Sequence, residues 1–159
     1  MSYIKKQSTG VWLTFFTLCL GIISFVLYKL NIAGAGYFKN SEVTLTVQYL
    51  GIAILLMLVT LILSQIRLKG LADTVITMLM DGIRIIIPAL VIAAALSLVS
   101  GRVEGFAFIY FSNEEVLQEV QTAANLSSAH GAIANIIALF VTAVVGMIAA
   151  FFTSKKKEA

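Results

Sequence analysis

Two charged residues stand inside the apolar stretch MLMDGIRIIIP, which covers residues 78–88. Asp81 and Arg84 are three positions apart, so on a helix they lie on the same face. Asp73 and Thr77 extend this face by steps of four towards the N-terminus. Ionisable groups inside a membrane span mark ion paths, proton relays or contacts between helices. The spacing therefore predicts a polar stripe that contains a candidate intramembrane pair, Asp81 and Arg84.

Three hypotheses follow for this pair. In the first, Arg84 extends its guanidinium to the cytoplasmic interface and Asp81 neutralises its charge. In the second, the stripe docks a partner or a neighbouring subunit near the cytoplasmic leaflet. In the third, Asp81 exchanges protons or binds ions in a transport path. A helix that begins near Asp73 places both groups only about 12–17 Å along its axis, within the inner leaflet, which favours the first hypothesis.

Residues that usually carry catalysis or bind metal ions are scarce. The chain has one histidine, His130, and one cysteine, Cys19, so we expect neither a multi-histidine metal site nor a disulfide within the chain. The sequence contains no phosphate-binding glycine loop and no serine-hydrolase motif. We therefore expect no catalytic residue, no cofactor and no metal ion. The basic residues form short flanks of apolar segments, so no nucleic acid partner is expected either.

The elements that must position these residues are transmembrane helices. Of the 159 residues, 60% are hydrophobic and 12% are charged, whereas a soluble domain carries about a quarter charged residues. Four apolar segments reach or exceed the roughly 20 residues that a span needs, at about 11–30, 45–66, 73–100 and 128–152, with outer segments at 31–44 and 101–127. The sequence predicts an all-α membrane protein, a single four-transmembrane-helix bundle over residues 1–159. Pro88 is expected to bend the third span.

The placement of lysine and arginine predicts the orientation of the bundle. Eight of the 11 basic residues fall on one side or nearest to it: Lys5, Lys6, Arg67, Lys69, Arg84, Lys155, Lys156 and Lys157. Lys29, Lys39 and Arg102 fall on the other side. Because loops that face the cytoplasm are enriched in these residues, we expect both termini in the cytoplasm. The expected location is the plasma membrane.

Small and polar residues recur every three or four positions in the first and fourth spans. The first span carries Thr14, Thr17, Gly21 and Ser24 in this pattern, and the fourth carries Asn135, Ala138, Thr142 and Gly146. Helices in lipid associate through close backbone approach over small residues and through hydrogen bonds. Both rows are therefore predicted to be helix-packing seams in preference to the lining of a polar path. Asn135, expected near the outer end of its span, is predicted to form an interhelical hydrogen bond.

The second outer segment begins with an aromatic run. Residues 106–111, FAFIYF, include Phe106, Phe108, Tyr110 and Phe111, and the run is too apolar to lie bare in water. We expect it to extend the third span or to rest at the membrane interface, in preference to forming a strand. Tyr37 and Phe38 of the first outer segment are expected to join this cluster.

A short extracytoplasmic helix is predicted directly after the aromatic run. Ser112 and Glu115 have the spacing of a capping box, which predicts a helix over about 113–124. Ser127 or Ser128 is the expected N-cap of the fourth span. Together with the aromatic run, Glu115 and Glu119 form a candidate partner surface.

The scarcity of catalytic groups, the packing seams and the apolar outer segment favour a non-catalytic integral membrane protein. We expect an accessory or structural subunit of a larger membrane complex, such as a transport system. The alternative is a small oligomeric transporter or channel in which Asp81 and Arg84 line an intramembrane polar path. The expected partners are the lipid bilayer and other membrane protein subunits or further copies of this chain.

Overall fold

The computed structural model describes residues 7–66 and 71–152, and within these ranges the only regular structure is helical. The helices are α1 (Thr9–Ala33), α2 (Thr44–Leu63), α3 (Leu71–Phe111), α4 (Glu114–Val120) and α5 (Ala123–Ala150). All except α4 are long and apolar enough to cross a membrane. This confirms the prediction of an all-α protein with four helices of membrane-spanning length.

The four long helices form a closed bundle in which successive helices run antiparallel. The α3 helix packs against α2 and α5, and α1 completes the ring by packing against the same two helices. Gln7, just before α1, donates a hydrogen bond from its side chain to that of Gln65, just after α2, at 3.0 Å. Arg84 of α3 contacts Ala149 near the end of α5. We call this end of the bundle the termini end and the opposite end, where α4 lies, the α4 end.

The α3 helix is much longer than the predicted third span. Its 41 residues extend about 60 Å at 1.5 Å per residue, whereas a hydrocarbon core is about 30 Å thick. The last turns contain the aromatic run, which is therefore a helical extension and not a strand. Pro88 lies inside α3 without ending it, as membrane helices tolerate where neighbouring helices surround the proline. The described part of α3 begins at Leu71, so Asp73, near which the sequence predicts the helix to begin, lies within its first turn.

The start of α4 differs from the predicted one by a residue. Asn113 is the N-cap, and its side-chain oxygen accepts a hydrogen bond from the backbone N–H of Val116 at 3.0 Å. The Ser112 hydroxyl instead donates to the carbonyl of Phe108 in the preceding turn, at 2.8 Å. The predicted capping box is therefore wrong, because Ser112 is still engaged by the end of α3.

The junction between α4 and α5 also lies earlier in the chain than predicted. Thr122 is the N-cap of α5, and its hydroxyl accepts a hydrogen bond from the backbone N–H of Asn125 at 3.2 Å. This cap ends α4 at Val120, so α4 is shorter than the predicted helix over 113–124. Ser127 and Ser128 lie inside α5 and do not cap it.

The interior of the bundle is apolar along most of its length. Its centre is formed by Leu50, Ala53, Met57, Val91, Ala94, Leu98 and Leu139. A second, smaller cluster at the α4 end contains Phe38, Ile109, Ala129 and Ala132. Many outward-facing positions of the long helices are apolar as well. This two-sided apolarity is expected where lipid, not water, surrounds the helices.

Most of the basic residues behind the predicted orientation lie outside the described residues: Lys5, Lys6, Arg67, Lys69, Lys155, Lys156 and Lys157. Among the described ones, Lys29 lies at the α4 end, where it forms an ion pair with Glu42 at 3.1 Å. The assignment of the termini end to the cytoplasm therefore stays a prediction.

Candidate functional site

The two predicted seams meet face to face between α1 and α5. Thr14, Thr17, Gly21 and Ser24 are buried on α1, and Asn135, Thr142 and Gly146 are buried on α5, with Ala138 half-buried beside them. The hydroxyls of Ser24 and Thr142 lie 3.2 Å apart. A methyl group added at Gly146 would lie 3.3 Å from the methyl of Thr17, so the helix backbones approach closely here.

Apart from the Ser24–Thr142 contact, the polar side chains described in these seams bond to backbone atoms and form no continuous chain. Thr14, Thr17 and Thr142 each donate to the carbonyl four residues earlier in their own helix, at 2.7–2.8 Å. Such bonds satisfy the hydroxyl inside lipid and leave it little capacity to conduct. The arrangement is that of a packing interface.

Asn135 is almost completely buried and links α5 to α1. With its amide oriented to match its neighbours, the nitrogen donates to the Ser24 carbonyl at 3.0 Å and the oxygen accepts from the Tyr28 N–H at 3.2 Å. Because α5 begins at Ala123, Asn135 lies near the middle of this helix, and its position within the membrane span stays a prediction. This side chain therefore ties the two helices together deep in the bundle.

Asp81 and Arg84 are neighbours on α3, but their side chains have different surroundings. Arg84 is only 3% exposed, whereas Asp81 is 62% exposed, and their nearest charged atoms are 4.0 Å apart. The Arg84 guanidinium donates to the carbonyl of Ala149. The expectation that Arg84 extends to the interface is therefore wrong. The carbonyls of the last turn of α5 carry the negative end of the helix dipole and therefore attract this cation. The Ala149 carbonyl also accepts from the backbone N–H of Phe152, at 3.2 Å.

A small cavity lies beside Arg84, between α1, α2, α3 and α5. Thr14, Thr17, Met57 and Gly146 are among its lining residues, and its volume is about 10 Å³. This is roughly the space that one water molecule needs. The cavity could hold a water near the guanidinium, but it is not a substrate pocket.

Arg102, which the sequence suggested only as a basic residue beyond the span, is fully buried at the α4 end. Its guanidinium donates to the hydroxyl and the carbonyl of Ser41, both at 2.8 Å. It also lies over the Phe38 ring, 4.4 Å from the ring centre. Arg102 therefore fastens the α1–α2 connection onto α3. The sequence does carry one indication of this burial. Arg102 follows Arg84 by 18 positions, which are five helical turns, so both arginines lie on the same face of α3.

The aromatic run packs against the α1–α2 connection, as expected for Tyr37 and Phe38. Phe106 meets Phe38 edge to face with ring centres 5.6 Å apart, and Phe108 lies 5.6 Å from Tyr37. Gly105, one residue before Phe106 on α3, leaves room for the rings of Tyr37 and Phe38, since an added Cβ would lie 2.4 Å from Phe38. The α4 end is therefore a packed cap in which α3, α5 and the α1–α2 connection meet.

The remaining residues of the predicted partner surface differ in exposure. Tyr110 is half-buried, whereas Phe111 is 84% exposed at the tip of α3. Glu115 and Glu119 are exposed on α4, whose apolar residues Val116, Leu117 and Val120 are partly covered. The aromatic run and the Asp81–Arg84 pair lie at opposite ends of α3, so they belong to separate regions.

The comparisons with known proteins give no family assignment. No protein-family model matches this chain, and no curated protein or solved structure matches it either. Within the described residues, no group of three or more histidine, cysteine, aspartate or glutamate side chains is placed to hold a metal ion. What the chain does must therefore be inferred from its packed bundle, its long α3 and the exposed surfaces at the two ends of α3.

Proposed function

We propose that this protein is a non-catalytic integral membrane protein that serves as an accessory or structural subunit of a larger membrane complex, such as a transport system. The carrying observation is the length of α3, about twice the thickness of a hydrocarbon core. Its ends expose apolar side chains that the bundle does not cover: Leu71, Val75 and Met78 towards the termini end, and Phe111 at the α4 end. Exposed apolar surface of this kind is typical of contacts with other proteins.

The packing of the bundle interior supports a protein that does not transport solutes through a single copy of the bundle. Between Arg84 and Arg102 the buried face of α3 is apolar, with Ile87, Pro88, Val91, Ala94, Ala95 and Leu98. The threonine hydroxyls of the seams bond to their own helices, and the cavity beside Arg84 has room for about one water molecule. The described residues of one copy therefore offer an ion no continuous polar route.

Site-directed cross-linking in the native membrane tests the accessory role. Cys19 is the only cysteine, so a Cys19→Ser background accepts single cysteines at Met78 or at Phe111. We expect a short thiol-reactive cross-linker to give a discrete product at one or both positions, containing the same partner protein in repeated preparations. The partner is identified by mass spectrometry.

Leu55→Cys is the matched control for this experiment. Like Met78 and Phe111, Leu55 is an exposed apolar residue, with 59% of its surface accessible. It differs from them in lying near the middle of α2, where lipid covers it. We expect no product there. If Met78→Cys and Phe111→Cys give only the products that Leu55→Cys gives, the chain has no partner at either end of α3 and the proposal fails.

The alternative function is a small oligomeric transporter or channel, and the outward position of Asp81 favours it. An exposed carboxylate on a membrane-spanning helix is costly in lipid, and a neighbouring copy would cover it. A polar path would then run between copies and not through one bundle. Proteoliposomes of the purified chain should in that case show ion flux that falls in Asp81→Asn. If the wild-type protein gives no flux for all of the ions tested, the transporter alternative fails and the accessory role is the remaining proposal.

A further inference from the structure

The exposed surface at the α4 end is both acidic and aromatic. On α3, Glu104, Phe108 and Phe111 follow one another at steps of four and three, so they share a single outward face. The next helix, α4, exposes Glu114, Glu115 and Glu119. We call these six residues the acidic–aromatic surface.

No basic side chain balances the charge of this surface within its own part of the chain. From residue 103 to residue 152 the sequence has four glutamates and no lysine or arginine. Arg102 is the nearest basic residue along α3, but it is fully buried and bound to Ser41. Glu42, another acidic residue of the α4 end, is by contrast paired with Lys29 at 3.1 Å. Lys39, which follows Phe38, is the other exposed basic residue at this end, so four glutamates face one lysine and the acidic–aromatic surface keeps a net negative charge.

The helices that carry the surface are held in place. The side chain of Gln121 donates to the carbonyl of Ile109 at 3.1 Å, which ties the end of α4 to α3. Asn125 donates to the carbonyl of Val120 at 2.8 Å and so joins α4 to α5. Phe108 packs against Tyr37. Because these supports are already formed, a ligand would meet a surface with little remaining freedom to lose.

We propose that the acidic–aromatic surface binds a basic segment of a protein partner, one in which arginine or lysine alternates with apolar side chains. This inference rests on the proposed accessory role and names the chemistry of the partner. Glutamates pair with the cations, while Phe108 and Phe111 supply apolar contact and cation–π attraction. Anionic lipid headgroups are repelled by the same charges. A metal ion has no converging set of ligands among the described residues.

Peptide binding to the full chain in nanodiscs of zwitterionic lipid tests this inference. The probe is a fluorescein-labelled peptide of three Arg-Leu-Arg-Ser repeats, and its counterpart carries glutamate in place of arginine. Fluorescence anisotropy should show that the arginine peptide binds and that the glutamate peptide does not. Glu115→Gln with Glu119→Gln should weaken binding by roughly threefold to tenfold, as expected for the loss of two exposed charge pairs. Phe111→Ser should weaken it while leaving every charge in place.

Glu42→Gln is the matched control, because it removes one carboxylate at the same end that is already paired with Lys29. We expect its affinity for the arginine peptide to stay within twofold of the wild-type value. Binding that is equal on empty nanodiscs, or unchanged in both surface variants, would overturn the inference. Either result leaves cross-linking at Met78 as an independent measure of the accessory role, so the two proposals fail separately.

Discussion

Arg84 and Arg102 are buried cations that hydrogen-bond to backbone carbonyls instead of to buried carboxylates. Arg84 donates to Ala149 at the end of α5, and Arg102 donates to Ser41 in the α1–α2 connection. They lie about 27 Å apart along α3, close to the thickness of a hydrocarbon core. The Arg84 guanidinium shares the Ala149 carbonyl with the N–H of Phe152, whereas the Arg102 guanidinium bonds to both the hydroxyl and the carbonyl of Ser41. Each arginine thus joins α3 to a segment distant in sequence.

Replacing Arg102 tests this at the level of one residue. Arg102→Met removes two hydrogen bonds and a cation–π contact and leaves the Ser41 carbonyl without its donor. We expect the free energy of unfolding in detergent to fall by about 1.5–3 kcal/mol, measured by denaturant titration. Arg102→Lys should recover only part of this loss, because an ammonium cannot bond to both Ser41 oxygens in the fixed geometry of a guanidinium. Full stability in Arg102→Met would contradict the assigned role.

The two members of the Asp81–Arg84 pair should differ in their effect on stability. Asp81→Asn removes an exposed charge 4.0 Å from its partner, so we expect a change of less than about 1 kcal/mol. Arg84→Met removes the buried donor of Ala149 and should cost about 1.5–3 kcal/mol. The same unfolding titration compares both variants. Equal losses would mean that the pair acts as one ionic unit.

At the scale of elements, glycines decide where helices and loops approach each other. Gly105 lies under the Phe38 and Tyr37 rings, and Gly36 has a φ of 109° where the α1–α2 connection passes α5. A side chain at Gly36 would meet the carbonyl of Ala124 and the side chain of Ser128 as well as an unfavourable backbone conformation. Gly51, in contrast, faces open space on α2. The cap at the α4 end therefore depends on small residues, whereas the lipid-facing surface of α2 does not.

A pair of identical substitutions separates these two situations. Gly105→Ala places a methyl group where the Phe38 ring lies, 2.4 Å away, so we expect a loss of about 1–3 kcal/mol in unfolding free energy. Gly51→Ala adds the same methyl group in open space and should raise stability by about 0.5–1 kcal/mol through helix propensity. Thermal unfolding in detergent measures both. Similar effects in the two variants would show that the packing at Gly105 is looser than described.

At the scale of the whole molecule, the sequence predicted what depends on local composition and missed what depends on distant partners. The four apolar helices follow from hydropathy and helix periodicity, whereas the helical extension of α3 through residues 106–111 was one of two arrangements that the sequence left open. The burial of Arg102 does not, because its partner Ser41 is 61 positions away and only the folded bundle brings them together. The direction of the Arg84 side chain does not follow from the sequence for the same reason, since its acceptor Ala149 lies 65 positions away on another span. The N-cap of α4 is Asn113 and not the predicted Ser112, because either of these neighbouring residues can cap a helix.

The orientation of the bundle in its membrane gives a prediction for the molecule as a whole. Lysine and arginine placement predicts that the termini end faces the cytoplasm and that the α4 end faces outward.

In a Cys19→Ser background, Lys39→Cys at the α4 end should react with a membrane-impermeant maleimide on intact cells. Gln7→Cys at the termini end should react only after the cells are permeabilised, because the lysine and arginine placement puts that end in the cytoplasm. Labelling of Gln7→Cys on intact cells, with Lys39→Cys protected, would reverse the assignment and move the acidic–aromatic surface to the cytoplasm. Labelling of both on intact cells would mean that the bundle inserts in two orientations.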